Sequence, residues 1–267
     1  MLGAIIGDIV GSRFEWHNIK SKEFMFYHPD CFPTDDSIMT LAIAKAILAC
    51  DGDYSNLRNQ TVICMQELGR RYPDAGYGGH FRRWLNKPFP EPYNSLGNGA
   101  AMRVSPVAYT AEDMDHLKML SRAVTEVTHN HPSGIKGGEA TAAAIFMALH
   151  GASKQEIKRV IDQDYYNLDF YQLDEIRDDY SFDVTCDGTV PYAIEAFMES
   201  TGFEDAIRNA ISIGGDSDTI AAITGSIAEA YYGIPADIRN QAIEYMDKIQ
   251  VGILDRFEEK YGIIWGK

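Results

Sequence analysis

Residues 34–50 read TDDSIMTLAIAKAILAC, a Thr-Asp-Asp cluster followed by a helical pattern that is apolar on almost every face. A helix of this kind is buried at the centre of its domain. Residues 216–232 read DSDTIAAITGSIAEAYY, and here too carboxylates and a threonine open a long apolar helical run. The two acidic clusters therefore look like two halves of one site, each at the start of a helix.

The two clusters together contain four carboxylates and two threonine hydroxyls, which are hard oxygen ligands. Mg²⁺, Mn²⁺ and Ca²⁺ prefer such ligands, whereas zinc prefers nitrogen and sulfur. Helix capping is the alternative, because Asp and Thr side chains accept hydrogen bonds from free N–H groups. One residue per helix suffices for a cap, and two carboxylates in one first turn need a counterion if they are buried. The pattern favours a metal site.

The chain has 267 residues, of which 45% are hydrophobic and 24% are charged, as in an ordinary soluble globular protein. No linker divides the sequence, so we expect a single domain over residues 1–267. A chain of this length can bury its own core, which favours a monomer.

The formal net charge of -15 opposes binding to nucleic-acid backbones and to anionic membranes through a general electrostatic field. Residues 1–10 are apolar but contain Asp8 and lack the basic start of a signal peptide. No apolar run approaches the length of a membrane span. We therefore expect a cytoplasmic protein. Its four cysteines show no C-x-x-C spacing, which predicts free thiols.

Helical periodicity dominates the sequence and strand-like alternation is nearly absent, which predicts an all-α fold. The acidic, tyrosine-rich region 162–188 is the exception, and we expect a long loop there with room for one short helix. The predicted helices cover residues 34–50, 55–71, 111–128, 136–150, 192–200, 203–213, 218–232 and 236–248.

Start and stop signals support several of these helices. Thr201 and Glu204 have capping-box spacing ahead of the helix at 203–213. Pro191 fits the first turn of the helix at 192–200. Gly233 is expected to end the helix that begins at residue 218.

Gly3, Gly7 and Gly11 recur every four residues, so on a helix they form a smooth strip that lets another backbone approach closely. Their spacing does not match a dinucleotide or P-loop fingerprint. We expect this helix to pack against the site. Backbone N–H groups in glycine-rich connections can converge on an anion, with ordinary turns as the alternative. Such connections lie at residues 75–79, 97–103 and 131–134.

Five motifs occur in order along the chain. They are GAIIGD at 3–8 with Glu15, TDDS at 34–37, GNGAAMR at 97–103, THNHP at 128–132 and GGDSDT at 214–219. As an ordered set they resemble the ADP-ribosylglycohydrolase family, which includes the dinitrogenase reductase-activating glycohydrolase. The resemblance reaches at least YYGIP at 231–235 and so covers nearly the whole chain. Each motif alone is unspecific, whereas the ordered set is specific.

This resemblance implies an all-α fold, a single compact orthogonal helical bundle with two Mg²⁺ or Mn²⁺ ions at the bottom of a cleft. The dinuclear site agrees with the hard-ligand interpretation of the two clusters. The implied metal ligands are Thr34, Asp35, Asp36, Asp216, Asp218 and Thr219.

The implied activity is removal of ADP-ribose from a modified target, commonly an arginine side chain, sometimes serine or a small ADP-ribose derivative. Cleavage at the anomeric carbon builds oxocarbenium character while water attacks and the leaving nitrogen or oxygen is protonated. Metal ions can chelate the ribose hydroxyls and polarise the water. Asp36 and Asp218 are candidates to deprotonate that water. Glu15 is a candidate general acid, base or substrate-positioning group.

Further motif residues are expected to contact the substrate. Asn98 and Gly99 match the part of the family pattern that meets the diphosphate or the distal ribose. His131 is expected to hydrogen-bond to phosphate or ribose. The phosphate region is expected to be lined as well by Ser133, Gly134 and Ile135.

Tyr77, in the glycine-rich connection at 75–79, is a candidate to stack on the adenine. Packing in the core is the alternative for any single tyrosine. Cys186 is expected to have no catalytic role, because no base is identifiable near it in the sequence.

The resemblance leaves more than one function open. The leading hypothesis is hydrolysis of ADP-ribosyl-arginine on a protein. Hydrolysis of an O-linked ADP-ribose, on serine or on a small molecule, differs only at the leaving group, where arginine needs acidic or π-rich surfaces. A non-catalytic ADP-ribose-binding module and a two-metal phosphatase also remain open. The expected partner is thus an ADP-ribosylated protein or a small molecule that contains ADP-ribose.

Overall fold

Apolar residues recur at helical spacing along most of the chain, and the computed structural model is built from α-helices accordingly. The structure describes residues 1–170 and 172–263. Over those ranges no strand forms, and one isolated antiparallel bridge joins Gly97 to Thr185. The helices are α1 (Leu2–Gly11), α2 (Asp35–Cys50), α3 (Leu57–Arg71), α4 (Gly79–Leu85), α5 (Gly99–Met102), α6 (Ser105–Ala108), α7 (Met114–Thr125), α8 (Pro132–Leu149), α9 (Lys154–Asp164), α10 (Leu173–Ile176), α11 (Cys186–Met198), α12 (Phe203–Ile213), α13 (Ser217–Tyr232), α14 (Ala236–Glu244) and α15 (Lys248–Lys260).

Helix α1 packs lengthwise on α13 through its glycine strip. A Cβ atom at Gly7 would lie 2.0 Å from the carbonyl oxygen of Ala221. At Gly11 it would lie 2.6 Å from the Cα atom of Asp218. Since no larger residue fits in these gaps, the strip holds α1 directly against the first turn of α13. The close approach that the glycine spacing predicts is confirmed.

Helix α2 lies at the centre of the molecule, as its apolar sequence predicts. Between Asp36 and Ile47, every residue except Lys45 is buried. The helix packs against α3, α15, α1 and α13. This arrangement brings the acidic starts of α2 and α13 together beside the end of α1.

Helix α11 begins at Cys186, six residues before the predicted start at 192. Its N-cap is Thr185, whose hydroxyl oxygen accepts a hydrogen bond from the backbone N–H of Gly188 at 2.9 Å. Pro191 therefore lies inside the helix, and its predicted place in the first turn is wrong. Gly188 and the polar residues beside it obscured this start in the sequence.

Two other helix boundaries differ from prediction. Thr201 bonds through both its N–H and its hydroxyl to the Asp205 carboxylate, so no capping box forms with Glu204. The N-cap of α12 is Gly202, without a side-chain cap. The segment predicted as one helix at 236–248 ends at Glu244, and α15 then starts after a capping box made by Asp247.

The region at 162–188 is more ordered in secondary structure than the predicted long loop. Helix α9 enters it, a 3-10 turn spans Leu168–Phe170, α10 follows, and α11 begins before it ends. All four cysteines are free thiols, as predicted. Among the described helices, none is both long enough and apolar enough to cross a lipid bilayer.

Candidate metal centre and active site

Asp8, near the end of α1, organises the first turn of α2. It is fully buried, and its carboxylate accepts hydrogen bonds from the backbone N–H groups of Thr34 and Ser37 at 2.9 and 3.0 Å. The hydroxyls of the same two residues also donate to Asp8, that of Thr34 at 2.6 Å. The Asp8 carboxylate thereby fixes the orientation of the whole Thr-Asp-Asp cluster.

Carboxylates from three parts of the chain converge beside this turn. Oxygen atoms of Asp8, Asp36 and Asp218 lie within 4.8 Å of one another, and so do oxygen atoms of Glu15, Asp216 and Asp218. The two groups share Asp218, so they form one continuous cluster. The acidic starts of α2 and α13, which the sequence leaves far apart, meet at this point.

Hydrogen bonds between the clusters position their oxygen atoms. The Thr219 hydroxyl donates to Asp36 Oδ2 at 3.2 Å, which links α13 to α2. Asn98 Nδ2 donates to Asp216 Oδ2 at 2.6 Å and to the Thr189 hydroxyl at 3.1 Å. The Asn98 side chain therefore orients a carboxylate of the cluster.

Burial raises the pKa values of these carboxyl groups, because the charged form loses its water. The pKa of Asp35 rises to about 8, first through burial and then through the charges of Asp8 and Asp216. Burial and neighbouring carboxylates hold the pKa values of Asp36 and Asp218 well above the ordinary range. This concentration of negative charge is unfavourable without a counterion.

Glu15 lies beside the cluster and is only half-buried. Burial, followed by the charges of Asp216 and Asp8, raises its pKa to about 7, while a hydrogen bond from the Trp16 side chain lowers it. A carboxyl group with a pKa near neutrality can hold or release a proton under physiological conditions.

The residues present fit a divalent cation. Asp36 Oδ1 is buried and has no hydrogen-bond partner in the protein, an arrangement that costs free energy unless something else binds the oxygen. A cation bound there would also relieve the repulsion between the carboxylates. Because the available donors are carboxylate and hydroxyl oxygens, Mg²⁺ and Mn²⁺ suit them.

A cavity of about 480 Å³ opens over the acidic cluster. Its acidic floor includes Glu15, Asp35, Asp36, Asp216 and Asp218, with Thr219 beside them. The walls are formed by Trp16, Met39, Gly76, Gly78, Gly79, His80, Phe81, Tyr93, Ser95, Gly97, Asn98, Gly99, Met102, Arg103, His129, Phe182 and Val184.

The wall of the cavity contains a buried cation. Arg103 is 1% exposed, and its Nη2 donates to the Thr128 hydroxyl at 2.7 Å. Thr128 Oγ1 also lies 2.7 Å from His129 Nδ1. The Thr128 hydroxyl therefore links the guanidinium of Arg103 to the imidazole of His129.

His129 is neutral in this setting, since burial and the Arg103 charge hold its pKa well below the ordinary value. Its Nε2 faces the glycine-rich loop at 97–99, where a Cβ atom on Gly99 would lie 3.1 Å from that nitrogen. The wall therefore presents a neutral imidazole nitrogen beside the backbone of the loop.

Five of the six predicted metal ligands line the cavity, namely Asp35, Asp36, Asp216, Asp218 and Thr219, whereas Thr34 does not. Asp35 lies outside the two groups of carboxylates that converge within 4.8 Å. Thr34 is the N-cap of α2 and is 3% exposed, with its hydroxyl directed at Asp8. Of the predicted substrate-binding residues, Asn98 and Gly99 line the cavity.

The remaining predicted substrate-binding residues lie off the cavity surface. Tyr77 is 3% exposed and packs against Phe81, with its ring centroid 5.5 Å away. His131 is the N-cap of α8 and accepts a hydrogen bond from the Ser133 N–H at 3.1 Å. Gly134 packs behind the cavity, because a Cβ atom there would lie 2.8 Å from the Ser95 carbonyl oxygen. Neither Ser133 nor Ile135 lines the cavity.

Sequence reasoning missed much of the cavity wall. Arg103 and His129 stand inside motifs that the sequence displays. Arg103 lies in an apolar stretch without an acidic residue near it in the sequence, which was a usable signal for a buried cation. Trp16, Tyr93 and Phe182 carry no such signal, because only tertiary packing brings them to the cavity.

The profile of the ADP-ribosylglycohydrolase family matches residues 1–262 of the chain. Mouse ADP-ribosylhydrolase ARH3 is 25% identical over 88% of this chain and 83% of its own length. The ADP-ribosylarginine hydrolase Tri1 of Pseudomonas putida (strain GB-1) is 25% identical over 100% of this chain and 81% of its own. The ADP-ribosyl-[dinitrogen reductase] glycohydrolase of Rhodospirillum rubrum is 25% identical over 75% of this chain and 69% of its own.

A solved structure described as an ADP-ribosylglycohydrolase-related protein complex superimposes with a TM-score of 0.70. It covers 98% of this chain and 95% of the other, at 22% identity, so it shows that the fold is shared. Together with the all-α architecture and the acidic cleft, the match over residues 1–262 shows that the chain belongs to the ADP-ribosylglycohydrolase family.

Proposed function

We propose that the protein is a metal-dependent hydrolase that releases ADP-ribose from an ADP-ribosylated target, with ADP-ribosyl-arginine on protein as the favoured substrate. The observation that carries this proposal is the convergence of Glu15, Asp36, Asp216 and Asp218 at the floor of one cavity. Hydrolysis of a glycosidic bond uses carboxyl groups as the general acid and as the general base or nucleophile.

The proposed cofactors are two Mg²⁺ or Mn²⁺ ions. When bound, such ions polarise water and chelate the ribose hydroxyls. Thr34 can still contribute, because a hydroxyl that donates its hydrogen to Asp8 retains lone pairs for a cation. The proposed ligands are Thr34, Asp35, Asp36, Asp216, Asp218 and Thr219.

The side chains of the cleft supply the proton transfers in this proposal. The oxygen of a water molecule bonds to the anomeric carbon as the bond from that carbon to the leaving nitrogen breaks. Asp36 or Asp218 takes one water proton, and Glu15 in its protonated form gives its proton to the leaving nitrogen.

The wall of the cleft is proposed to hold the rest of the substrate. Asn98 and Gly99 would contact the diphosphate or the distal ribose, with the neutral His129 ring beside them. Tyr77 and His131 are not included, because their side chains are already engaged away from the cavity surface.

The family and the names of the relatives support the general activity, and the name of Tri1 supports arginine. Retention of all the acidic residues supports an enzyme over a binding module. We also propose a single domain over residues 1–267, a monomer and a cytoplasmic location, with an ADP-ribosylated protein as the partner.

The proposal is tested by measuring free ADP-ribose released from ADP-ribosyl-arginine and ADP-ribosyl-serine peptides. Each reaction is run with Mg²⁺, with Mn²⁺ and with a chelator, and phosphate release is measured alongside. Metal-dependent release from the arginine peptide supports the proposal, and release from the serine peptide alone would replace the substrate with an O-linked one. Phosphate without ADP-ribose would indicate a phosphatase.

A further inference from the structure

Two large aromatic side chains stack on each other at the mouth of the cleft. Trp16 is 72% exposed and Phe182 is 42% exposed. Their ring centroids are 5.1 Å apart and their planes differ by 22°. Both residues line the cavity that lies over the acidic cluster.

Polar contacts hold the two segments that carry these rings. Asn18 Nδ2 donates to the Gly215 carbonyl at 2.8 Å, which fixes the Trp16 segment at the start of the second acidic cluster. Lys20 Nζ donates to the Tyr180 carbonyl at 2.8 Å and so ties this segment to the one that carries Phe182. On the other side of Phe182, the Asn98 N–H donates to the Val184 carbonyl at 2.8 Å.

Packing in the core does not explain the pair, because most of the Trp16 side chain faces solvent. An exposed apolar surface of this kind beside a cleft is typical of a binding site. Exposed Val184 extends the same surface along the cavity.

The position of the pair relates it to the reacting end of the cleft. Trp16 follows Glu15 directly in the chain, and both residues line the cavity. Glu15 in turn lies with Asp216 and Asp218 in the acidic cluster. The aromatic surface thus adjoins the carboxyl group that faces the leaving group in the proposed reaction.

A planar cation fits a surface made of aromatic faces beside carboxylates. A guanidinium stacks on aromatic rings and is attracted to their faces and to nearby negative charge. The serine hydroxymethyl group offers neither a plane nor a charge. From this arrangement, and resting on the proposed function, we infer that Trp16 and Phe182 hold the guanidinium of the leaving arginine and determine selectivity for arginine over serine.

The test compares Trp16→Ala, Phe182→Ala and Trp16→Phe with the wild type, using the metal-loaded full chain. The readout is the ratio of kcat/KM for an ADP-ribosyl-arginine peptide to that for an ADP-ribosyl-serine peptide. Each alanine variant is expected to lower the ratio roughly 3- to 30-fold through a higher KM for the arginine peptide, as loss of a cation–π contact predicts. Trp16→Phe keeps a ring without the indole N–H and is expected to retain most of the selectivity.

The control variant is Phe89→Ala, since Phe89 is 87% exposed and does not line the cavity. It is expected to leave the ratio unchanged. The inhibition constant of free ADP-ribose distinguishes contacts with ADP-ribose from contacts with the leaving arginine. If the pair contacts the arginine alone, the alanine variants keep the inhibition constant of the wild type.

Three results would overturn the inference. An equal loss of kcat/KM on both peptides in the alanine variants would mean that the pair has a general role. Weaker inhibition of these variants by free ADP-ribose would place the adenine on the pair. A wild-type enzyme that acts only on the serine peptide would remove arginine selectivity while leaving a hydrolase. A wild type that releases ADP-ribose from neither peptide would instead contradict the proposed function itself.

Discussion

Asp8 illustrates at the scale of one residue how the cleft is built. Its carboxylate is buried among other carboxylates, and burial raises its pKa to about 6 although four donors of Thr34 and Ser37 lower it. Those donors all come from the first turn of α2 or its cap. Asp8 therefore contributes by orienting the Thr-Asp-Asp cluster, a role that the sequence motif displayed without explaining.

The same concentration of charge leads to a prediction for Asp218→Asn. In a chelator, removal of one carboxylate relieves repulsion and is expected to raise the stability of the protein by on the order of 1 kcal/mol. Addition of Mg²⁺ or Mn²⁺ at about 100 times the dissociation constant is expected to raise the wild-type Tm by about 5–10 °C. The Tm of Asp218→Asn should rise much less on addition of metal. Thermal denaturation with and without metal measures both the stability in chelator and the rise in Tm.

Asp255→Asn is the matched control, because Asp255 is exposed on α15 and the chemical change is the same. It is expected to change stability by less than about 0.5 kcal/mol and to keep the full response to metal. A variant at Asp218 that loses stability in chelator and responds to metal like the wild type would contradict the account.

Buried Glu195 leads to a prediction about how the stability of the protein depends on pH. It is buried on α11 with Oε2 lacking a hydrogen-bond partner, and burial and then the charge of Glu199 raise its pKa to about 7. Between the ordinary value of 4.5 and about 7, the folded state binds more protons than the unfolded state, so stability falls as pH rises through this window. Glu195→Gln is expected to have little effect near pH 4 and to raise the Tm by a few degrees above pH 7.

Thermal denaturation from pH 4 to pH 8 checks this expectation, with exposed Glu23→Gln as the control. The control is expected to show no such dependence on pH. If the Tm difference between Glu195→Gln and the wild type stays constant across that range, burial does not raise the pKa of the Glu195 carboxyl group.

At the scale of elements, strongly periodic stretches predicted their helices well. Helix α2 and helix α13 begin within one residue of their predicted starts, because acidic N-terminal residues and long apolar runs mark them clearly. The start of α11 was missed because its cap comes from Thr185 and its first turn contains Gly188, which looks like a loop in sequence. Local signals alone do not reveal that the loop at Leu96 and Gly97 holds this start in place.

The close contact between α1 and α13 predicts that Gly7→Ala destabilises the protein. Gly7→Ala would place a Cβ atom 2.0 Å from the Ala221 carbonyl oxygen, so the two helices must move apart. The expected cost is about 2–3 kcal/mol or more, as for other overpacked cores. Because α13 carries the second acidic cluster, the response to metal should weaken as well.

Gly252→Ala is the control for this variant. Gly252 lies in α15 with no atom within 4 Å of an added Cβ, so alanine is expected to stabilise the helix by about 0.5–1 kcal/mol. Urea denaturation of both variants measures the two changes. Similar stabilities for Gly7→Ala and Gly252→Ala would show that the backbone approach does not matter.

At the scale of the whole molecule, the acidic floor of the cleft was predictable and most of its walls were not. Each of the two carboxylate clusters is recognisable in the sequence as a set of metal ligands, although the clusters are far apart in the chain. Trp16, Tyr93 and Phe182 reach the cavity through long-range packing, which no local pattern encodes. Tyr77 shows the reverse, since its place in a glycine-rich loop suggested the cleft whereas its ring packs against Phe81.

We propose that release of ADP-ribose requires a metal ion held by the acidic cluster. The most direct measurement is ADP-ribose release by chelator-treated protein as Mg²⁺ is added back, for the wild type and for Asp218→Asn. We expect no release without metal, recovery in the wild type as metal is added, and a loss of at least about 100-fold in the variant at every metal concentration. Release that persists in chelator, or an Asp218→Asn variant as active as the wild type, would contradict it.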